Sequence, residues 1–138
     1  MPADEAREIA RRWNLEPHPE GGYYRETYRA AISTTPPGYP GPRALATAIL
    51  FLLPGGVRSL RHRVRGDELW LWQGGDAMAL DIDGATQLIG PDADAGHALQ
   101  ALVPANTWQS ATPAGERWSL VACVVAPGFD FADFEISD

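Results

Sequence analysis

The sequence predicts an all-β sandwich or barrel preceded by one short helix. Three observations predict it. From Arg43 onward, short apolar runs recur and are punctuated by glycine and proline. The chain has 138 residues, 45% of them hydrophobic, which suits one domain (residues 1–138) around one substantial core. Helical periodicity occurs once, at the N-terminus.

That helix is expected over residues 3–13. Ala6, Ile9, Ala10 and Trp13 recur at helical spacing, and Asp4, Glu5, Arg11 and Arg12 complement the helix dipole. Pro17 and Pro19 stop it. After Gly21-Gly22 a strand is expected over residues 23–31. Residues 33–42 hold four prolines and two glycines and read as a mobile loop that could serve as a lid. Strands then follow over residues 44–53, 68–72, 77–82, 86–89, 99–103, 107–111 and 118–125. Asp83-Gly84 is a hairpin turn between the third and fourth of these. A final run, residues 129–136, mixes Phe129, Phe131 and Phe134 with acidic residues.

Composition excludes several classes. A formal net charge of −7 argues against a nucleic-acid partner. The basic residues are all arginine. The longest apolar stretch, residues 44–53, is much shorter than the ~20 residues that span a bilayer. The charged N-terminus, Met1-Pro-Ala-Asp-Glu-Ala-Arg-Glu, is unlike a signal peptide. A cytoplasmic protein without membrane contact is expected. Cys123, alone in an apolar run, reads as a buried small hydrophobe.

The most informative segment is Gly56-Val-Arg-Ser-Leu-Arg-His62-Arg-Val-Arg-Gly-Asp-Glu68-Leu-Trp-Leu-Trp-Gln-Gly-Gly75. Strand alternation places Glu68, Trp70 and Trp72 on one face, a carboxylate beside two indoles, which suggests a lined cavity. His62 lies between Arg61 and Arg63, with Arg65 close by. Like charges favour a neutral imidazole, suited to base or ligand chemistry. A second segment runs from Gly96 through Val103-Pro-Ala-Asn-Thr-Trp-Gln109. Asn106 there tolerates a positive φ. Between residues 23 and 29, Tyr24, Glu26 and Tyr28 should share one strand face, and Tyr23, Arg25, Thr27 and Arg29 the other. His18, between two prolines, reads as a surface-loop residue.

These segments resemble the two motifs of the cupin superfamily, G-x5-H-x-H-x3-E-x6-G and G-x5-7-P-x-G-x2-H-x3-N. Gly56, His62, Glu68 and Gly75 match the first, whose second histidine is Val64. In the second, Gln109 replaces the histidine and should lie opposite His62. With Pro17-His-Pro-Glu-Gly-Gly-Tyr-Tyr-Arg-Glu and Val125-Ala-Pro-Gly-Phe-Asp-Phe-Ala-Asp-Phe-Glu135, the chain resembles small cupins labelled predicted sugar epimerases, similar to dTDP-sugar 3,5-epimerases. The resemblance selects a double-stranded β-helix, the cupin jelly roll, and implies a homodimer.

It also implies a small polar ligand, a sugar or a hydroxy or keto acid. His62 would be the general base and Glu68 its partner, both catalytic. Gln109, Trp70, Arg25, Tyr24 and Tyr28 are the ligand-binding candidates, the two tyrosines also as acids. Because Val64 and Gln109 remove strong donors, no metal and no cofactor are expected. The rival readings are a non-catalytic binding cupin and a metal-dependent cupin lyase or dioxygenase.

Overall fold

A computed structural model describes residues 2–137. Helix α1 (Pro2–Arg12) is followed by strands β1 (Glu16–Pro17), β2 (Tyr23–Arg29), β3 (Ser33–Thr34), β4 (Arg43–Ala44), β5 (Thr47–Leu53), β6 (His62–Val64), β7 (Asp67–Gly75), β8 (Met78–Ile82), β9 (Ala85–Ile89), β10 (Gln100–Val103), β11 (Gln109–Pro113), β12 (Ser119–Ala126) and β13 (Phe134–Ile136). Short 3-10 turns lie at Ala93–Ala95 and Phe131–Asp133. The strands form a six-stranded sheet, β1-β2-β5-β12-β7-β10, and a five-stranded sheet, β13-β6-β11-β8-β9. A separate pair joins β3 to β4. All strand pairings are antiparallel. This is the expected all-β jelly roll with a short N-terminal helix.

The core lies between the sheets. Phe51, Leu53, Trp70, Val103, Val121 and Cys123 of the larger sheet meet Met78, Leu80, Ile89 and Ala111 of the smaller. Helix α1 lays Ala6 and Ala10 on the other face of the large sheet, against Leu15, Leu52 and Leu120. Asn106, expected to tolerate a positive φ, has φ 58°, and Gly75 has φ 73°. A side chain at Gly75 would also place its Cβ 2.3 Å from the Trp118 carbonyl, so only glycine fits.

Two expectations need correction. Residues 33–42 are tethered: Ser33 and Thr34 pair with Ala44 and Arg43, and Tyr39 lies under both Arg43 and Arg65 at 5.7 and 5.3 Å. The face assignment within β2 also fails past Glu26. The register with β5 shifts between Glu26 and Tyr28, so Glu26 pairs with Ile49 and Tyr28 with Ala48. The extra residue turns Arg29, rather than Tyr28, onto the inner face with Tyr24 and Glu26.

Asp133 ties the C-terminal segment to the body. Its carboxylate accepts from Arg43 Nε and Nη2 at 2.7 and 2.9 Å and from Arg65 Nε at 3.0 Å. The Arg43 hydrogen bond, helped by Arg65, outweighs burial and holds the Asp133 carboxyl below its ordinary value. A depressed folded pKa means this contribution is present above about pH 4 and is lost on acidification. Asp133→Ala should lower the melting temperature at pH 7 by roughly 5 °C or more, because two guanidinium groups lose their shared acceptor. The difference from the parent should shrink as thermal scans move below about pH 4.

Candidate functional site

The site lies at one end of the sandwich, where β2, β5, β6, β7 and β12 meet the C-terminal segment. Inner-face residues of successive strands define its wall: Tyr24, Thr47, Ile49, His62, Val64, Glu68, Cys123 and Val125. Phe129 and Phe134 close one side, and His18 and Glu20 enter from the loop before β2. The space inside the site is small, about 30 Å3.

The loop Pro17-His-Pro-Glu-Gly-Gly is built to turn two side chains inward. His18 N–H donates to Gly22 O at 3.0 Å, and Gly21 N–H returns to His18 O at 3.0 Å. Gly22 has φ 75°, and a Cβ there would fall 2.4 Å from Leu52 O. Only glycine permits that approach. Leu60 N–H donates to Glu20 O at 2.7 Å, which docks the loop beside His62. The Glu20 N–H donates to His18 Nδ1 at 3.0 Å. His18 Nδ1 is therefore unprotonated, and its ring hydrogen sits on Nε2.

Glu20 and His62 form the central pair. Both are buried, 5% and 2% exposed. His62 Nδ1 lies 2.7 Å from Leu60 O and 2.7 Å from Glu20 Oε2. The ring hydrogen is aligned with the carbonyl, so Oε2 is a close ionic neighbour without a hydrogen bond of its own. The occupied Nδ1 leaves His62 Nε2 as the ring atom available to a ligand.

The two imidazoles are pushed in opposite directions. For His62, burial is the largest single influence and would lower its pKa. The Glu20 contact, the charges of Glu20 and Glu68 and the Leu60 carbonyl together outweigh it, so His62 is raised. This corrects the expectation that flanking arginines keep His62 neutral. Arg61 and Arg63 point to the opposite strand face and lie over the Trp108 ring at 4.7 and 4.6 Å, and Arg65 is held by Asp133. For His18, burial dominates, the neighbouring His62 adds to it, and the pKa is lowered despite Glu20.

Glu68 stands opposite. Burial raises its carboxyl to about 7, against the opposing effects of His62 and of hydrogen bonds from Gln109 and Cys123. Gln109 Nε2 donates to Glu68 Oε1 at 2.9 Å, and Trp70 Nε1 donates to Gln109 Oε1 at 2.9 Å. Gln109 pairs with His62 across β11 and β6, as the second motif implied. Yet Gln109 and Trp70 form no part of the pocket wall. They stand behind Glu68 and hold it. Cys123 is buried beside Glu68, and burial pushes its thiol pKa up, in keeping with its reading as a small hydrophobe.

Of the other candidates, Tyr24 is on the wall, edge-on to His18 at 4.5 Å between ring centres. Arg25 and Tyr28 are not. Arg25 is exposed and donates to Trp13 O at 3.1 Å, and Tyr28 is 57% exposed on the outer face, displaced there by the bulge in β2. His18 is no surface residue: its side chain is 5% exposed. His18 and Glu20 were missed as site residues. Their signal in the sequence is the rigid Pro-His-Pro-Glu followed by two glycines, a loop with little conformational freedom except where it turns.

Cupins with the complete motif present three histidines and a glutamate to a metal. The residues here do not fit that role. Val64 is apolar, and Gln109 spends its oxygen on Trp70 and its amide on Glu68. Among the described residues no three His, Cys, Asp or Glu side chains gather as ligands.

Fold and site together define a small jelly-roll protein with a pocket at one end in which two imidazoles and two carboxylates meet an otherwise mostly apolar wall. The chain belongs to the cupin superfamily: residues 7–137 match the family model described as Cupin superfamily (DUF985). It is similar to a hypothetical protein from Leishmania major, 31% identical with a TM-score of 0.87 over 96% of this chain and 86% of that one. It is also similar to protein SO0799 from Shewanella oneidensis, 34% identical with a TM-score of 0.84 over 95% and 83%. A Cupin 2 conserved barrel domain protein from Salinispora arenicola shares the fold at 18% identity, with a TM-score of 0.58 over 88% and 85%. A comparison with curated proteins finds no match. No helix among the described residues is long and apolar enough to cross a membrane.

The raised Glu68 has a measurable consequence. Folding favours its protonated form, so its contribution is greatest below the ordinary carboxyl range and is lost as pH rises through about 7. Glu68→Gln keeps an acceptor for Gln109 and removes the charge. It should exceed the parent in stability above about pH 7, by on the order of 3 kcal/mol, and match it below about pH 4.5. Urea unfolding at pH 4.5, 6 and 8 measures this.

Proposed function

We propose that this cupin binds a small polar metabolite in the end pocket and transfers a proton at a carbon α to a carbonyl, as a metal-independent carbohydrate epimerase or isomerase. The observation that carries the reading is the buried Glu20 carboxylate 2.7 Å from His62 Nδ1. A carboxylate behind one ring nitrogen orients an imidazole and stabilises the cation formed when the other nitrogen takes a proton. His62 Nε2 would remove the α-proton, and the electron pair would pass to the carbonyl oxygen to give an enediolate. The His18 Nε2–H and protonated Glu68 are donors for that oxygen. Tyr24 or Glu68 would return a proton to the carbon on its other face. Opposite pKa shifts in adjacent groups support separate acid and base roles. Trp70 and Gln109 act as positioning residues through Glu68.

His62→Ala is a poor test because it strands the buried Glu20 charge. His62→Asn keeps a donor near the Nδ1 position. It should lose about 10²–10⁴ in turnover of a responsive keto-sugar or aldose and abolish solvent deuterium incorporation at the α-carbon. Turnover without such exchange in the parent protein would overturn proton abstraction. Binding without turnover across a broad panel of sugars and keto acids would favour a non-catalytic binding cupin.

The assembly we propose is a homodimer through the outer face of the large sheet. One register row there is apolar across five strands: Leu102, Leu69, Val124, Ala48 and Tyr28. Leu102, Leu69 and Tyr28 are 50%, 37% and 57% exposed, an unusual concentration on one face. Light scattering at tens of micromolar should give twice the chain mass. The double variant Leu69→Asp, Leu102→Asp should give the single chain mass with unchanged circular dichroism.

A further inference from the structure

Beside the end pocket lies a larger hollow of about 390 Å3, lined by Tyr24, Glu26, Arg29, Ile49, Phe129, Asp130 and Phe131. Tyr24, Ile49 and Phe129 belong to both walls, so the hollow is the approach to the pocket. The inner cavity, about 30 Å3, has room for one or two water-sized groups. Any ligand larger than its reacting atoms must extend into the hollow.

The chemistry of the hollow is specific. Arg29 is the one arginine on either wall, and it is already committed. Its Nε and Nη2 donate to Glu26 at 3.1 and 2.6 Å, and Nη2 also donates to Phe129 O at 3.2 Å. Asp130 adds a second carboxylate, anchored where its Oδ1 accepts from Ala132 N–H at 2.9 Å. Two carboxylates thus face one neutralised guanidinium. Phe131 stands edge-on to Phe129 at 4.9 Å and leaves about half of its surface, 48%, exposed. Deeper in, Glu20 Oε2 is a buried acceptor without a hydrogen-bond donor. Carboxylate acceptors beside aromatic faces suit the hydroxyl groups and C–H faces of an uncharged sugar ring. A phosphate would meet like charge with no free cation to hold it.

We infer that the hollow is a subsite for the non-reacting part of an uncharged, polyhydroxylated ligand, held by Asp130 and Glu26 and stacked on Phe131, and that phosphorylated or nucleotide-linked sugars are excluded. The inference rests on the proposed use of the end pocket and assigns its ligand class. It also departs from the dTDP-sugar chemistry that the family resemblance implied.

The test is calorimetric titration of the intact protein with free aldoses and ketoses and with the phosphate esters and nucleotide diphosphate derivatives of the same sugars. At least one uncharged sugar should bind about tenfold more tightly than its phosphate ester. Asp130→Asn, which keeps the acceptor for Ala132 N–H, and Phe131→Ala should each weaken that sugar about fivefold or more, with unchanged melting curves. Tighter binding of any phosphorylated or nucleotide-linked sugar overturns the inference. So does an absence of binding by every uncharged sugar at concentrations on the order of 10 mM, or indifference to both variants. The two readings fail separately. Uncharged sugars that sense Asp130 and Phe131 without His62-dependent deuterium exchange leave the subsite standing and remove the proton-transfer reading. Such exchange on a phosphate ester does the reverse.

Discussion

A carboxylate and an imidazole, both removed from water and 2.7 Å apart, set the terms for everything around them. Burying either charge alone would be unfavourable by several kcal/mol, so each requires the other. That requirement reaches into the backbone. Glu20 can approach His62 only because two glycines let its loop fold back against Leu52, and because Leu60 N–H fastens the loop through Glu20 O. The Leu60 carbonyl then takes the His62 hydrogen, while Glu20 Oε2 stays buried 2.7 Å from the same ring nitrogen.

The second layer of organisation is the relay from Trp70 through Gln109 to Glu68. It occupies one of the positions where a complete cupin motif places a metal-binding histidine. Gln109 has the reach of such a ligand but is turned by the Trp70 indole into a donor toward Glu68. Burial raises that carboxyl to about 7 against the Gln109 hydrogen bond, where a bound cation would fix it as an anion. In the proposed reading the same strand positions serve proton chemistry instead of metal ligation. The change is local because Val64 and Gln109 alter the side chains and leave the ladder between β6 and β11 intact.

Much of this was legible in the sequence, and the parts that were not share a cause. Glycine and proline punctuation marks most of the strands, and the spacing of Gly56, His62, Glu68 and Gly75 identifies the sheet corner where a histidine and a glutamate converge. Strand periodicity also places Glu68 and Trp70 on one face. Periodicity assumes an uninterrupted register, however. One extra residue in β2 exchanges Arg29 for Tyr28 on the inner face, and no residue type in Glu26-Thr-Tyr28 announces it. Depth is equally silent: Trp70 and Gln109 share the face of the pocket yet lie behind its wall. His18 and Glu20 escape because their placement depends on a loop folding onto a strand that follows about forty residues later. The arginines around His62 mislead for a related reason. Sequence neighbours on a strand face opposite ways, so proximity in the chain is not electrostatic proximity.

The C-terminal segment shows how far the site depends on residues outside it. Phe129, Phe131 and Phe134 form the aromatic side of pocket and hollow, and they lie on a stretch with little regular structure. Beside the pairing of β13 with β6, side chains anchor it at two points. The Phe129 N–H donates to Thr47 Oγ1 at 2.9 Å, and Asp133 is gripped by Arg43 and Arg65. Tyr39 lies under both arginines and links residues 33–42 to the same cluster. The proline-rich loop therefore bears on the pocket indirectly. It supports the guanidinium groups that fix Asp133, and Asp133 fixes the turn that presents Phe131 and Phe134. A lid over the site would have to include residues 129–134. Its freedom is then limited by the carboxylate that holds two arginines and by the pairing of β13 with β6.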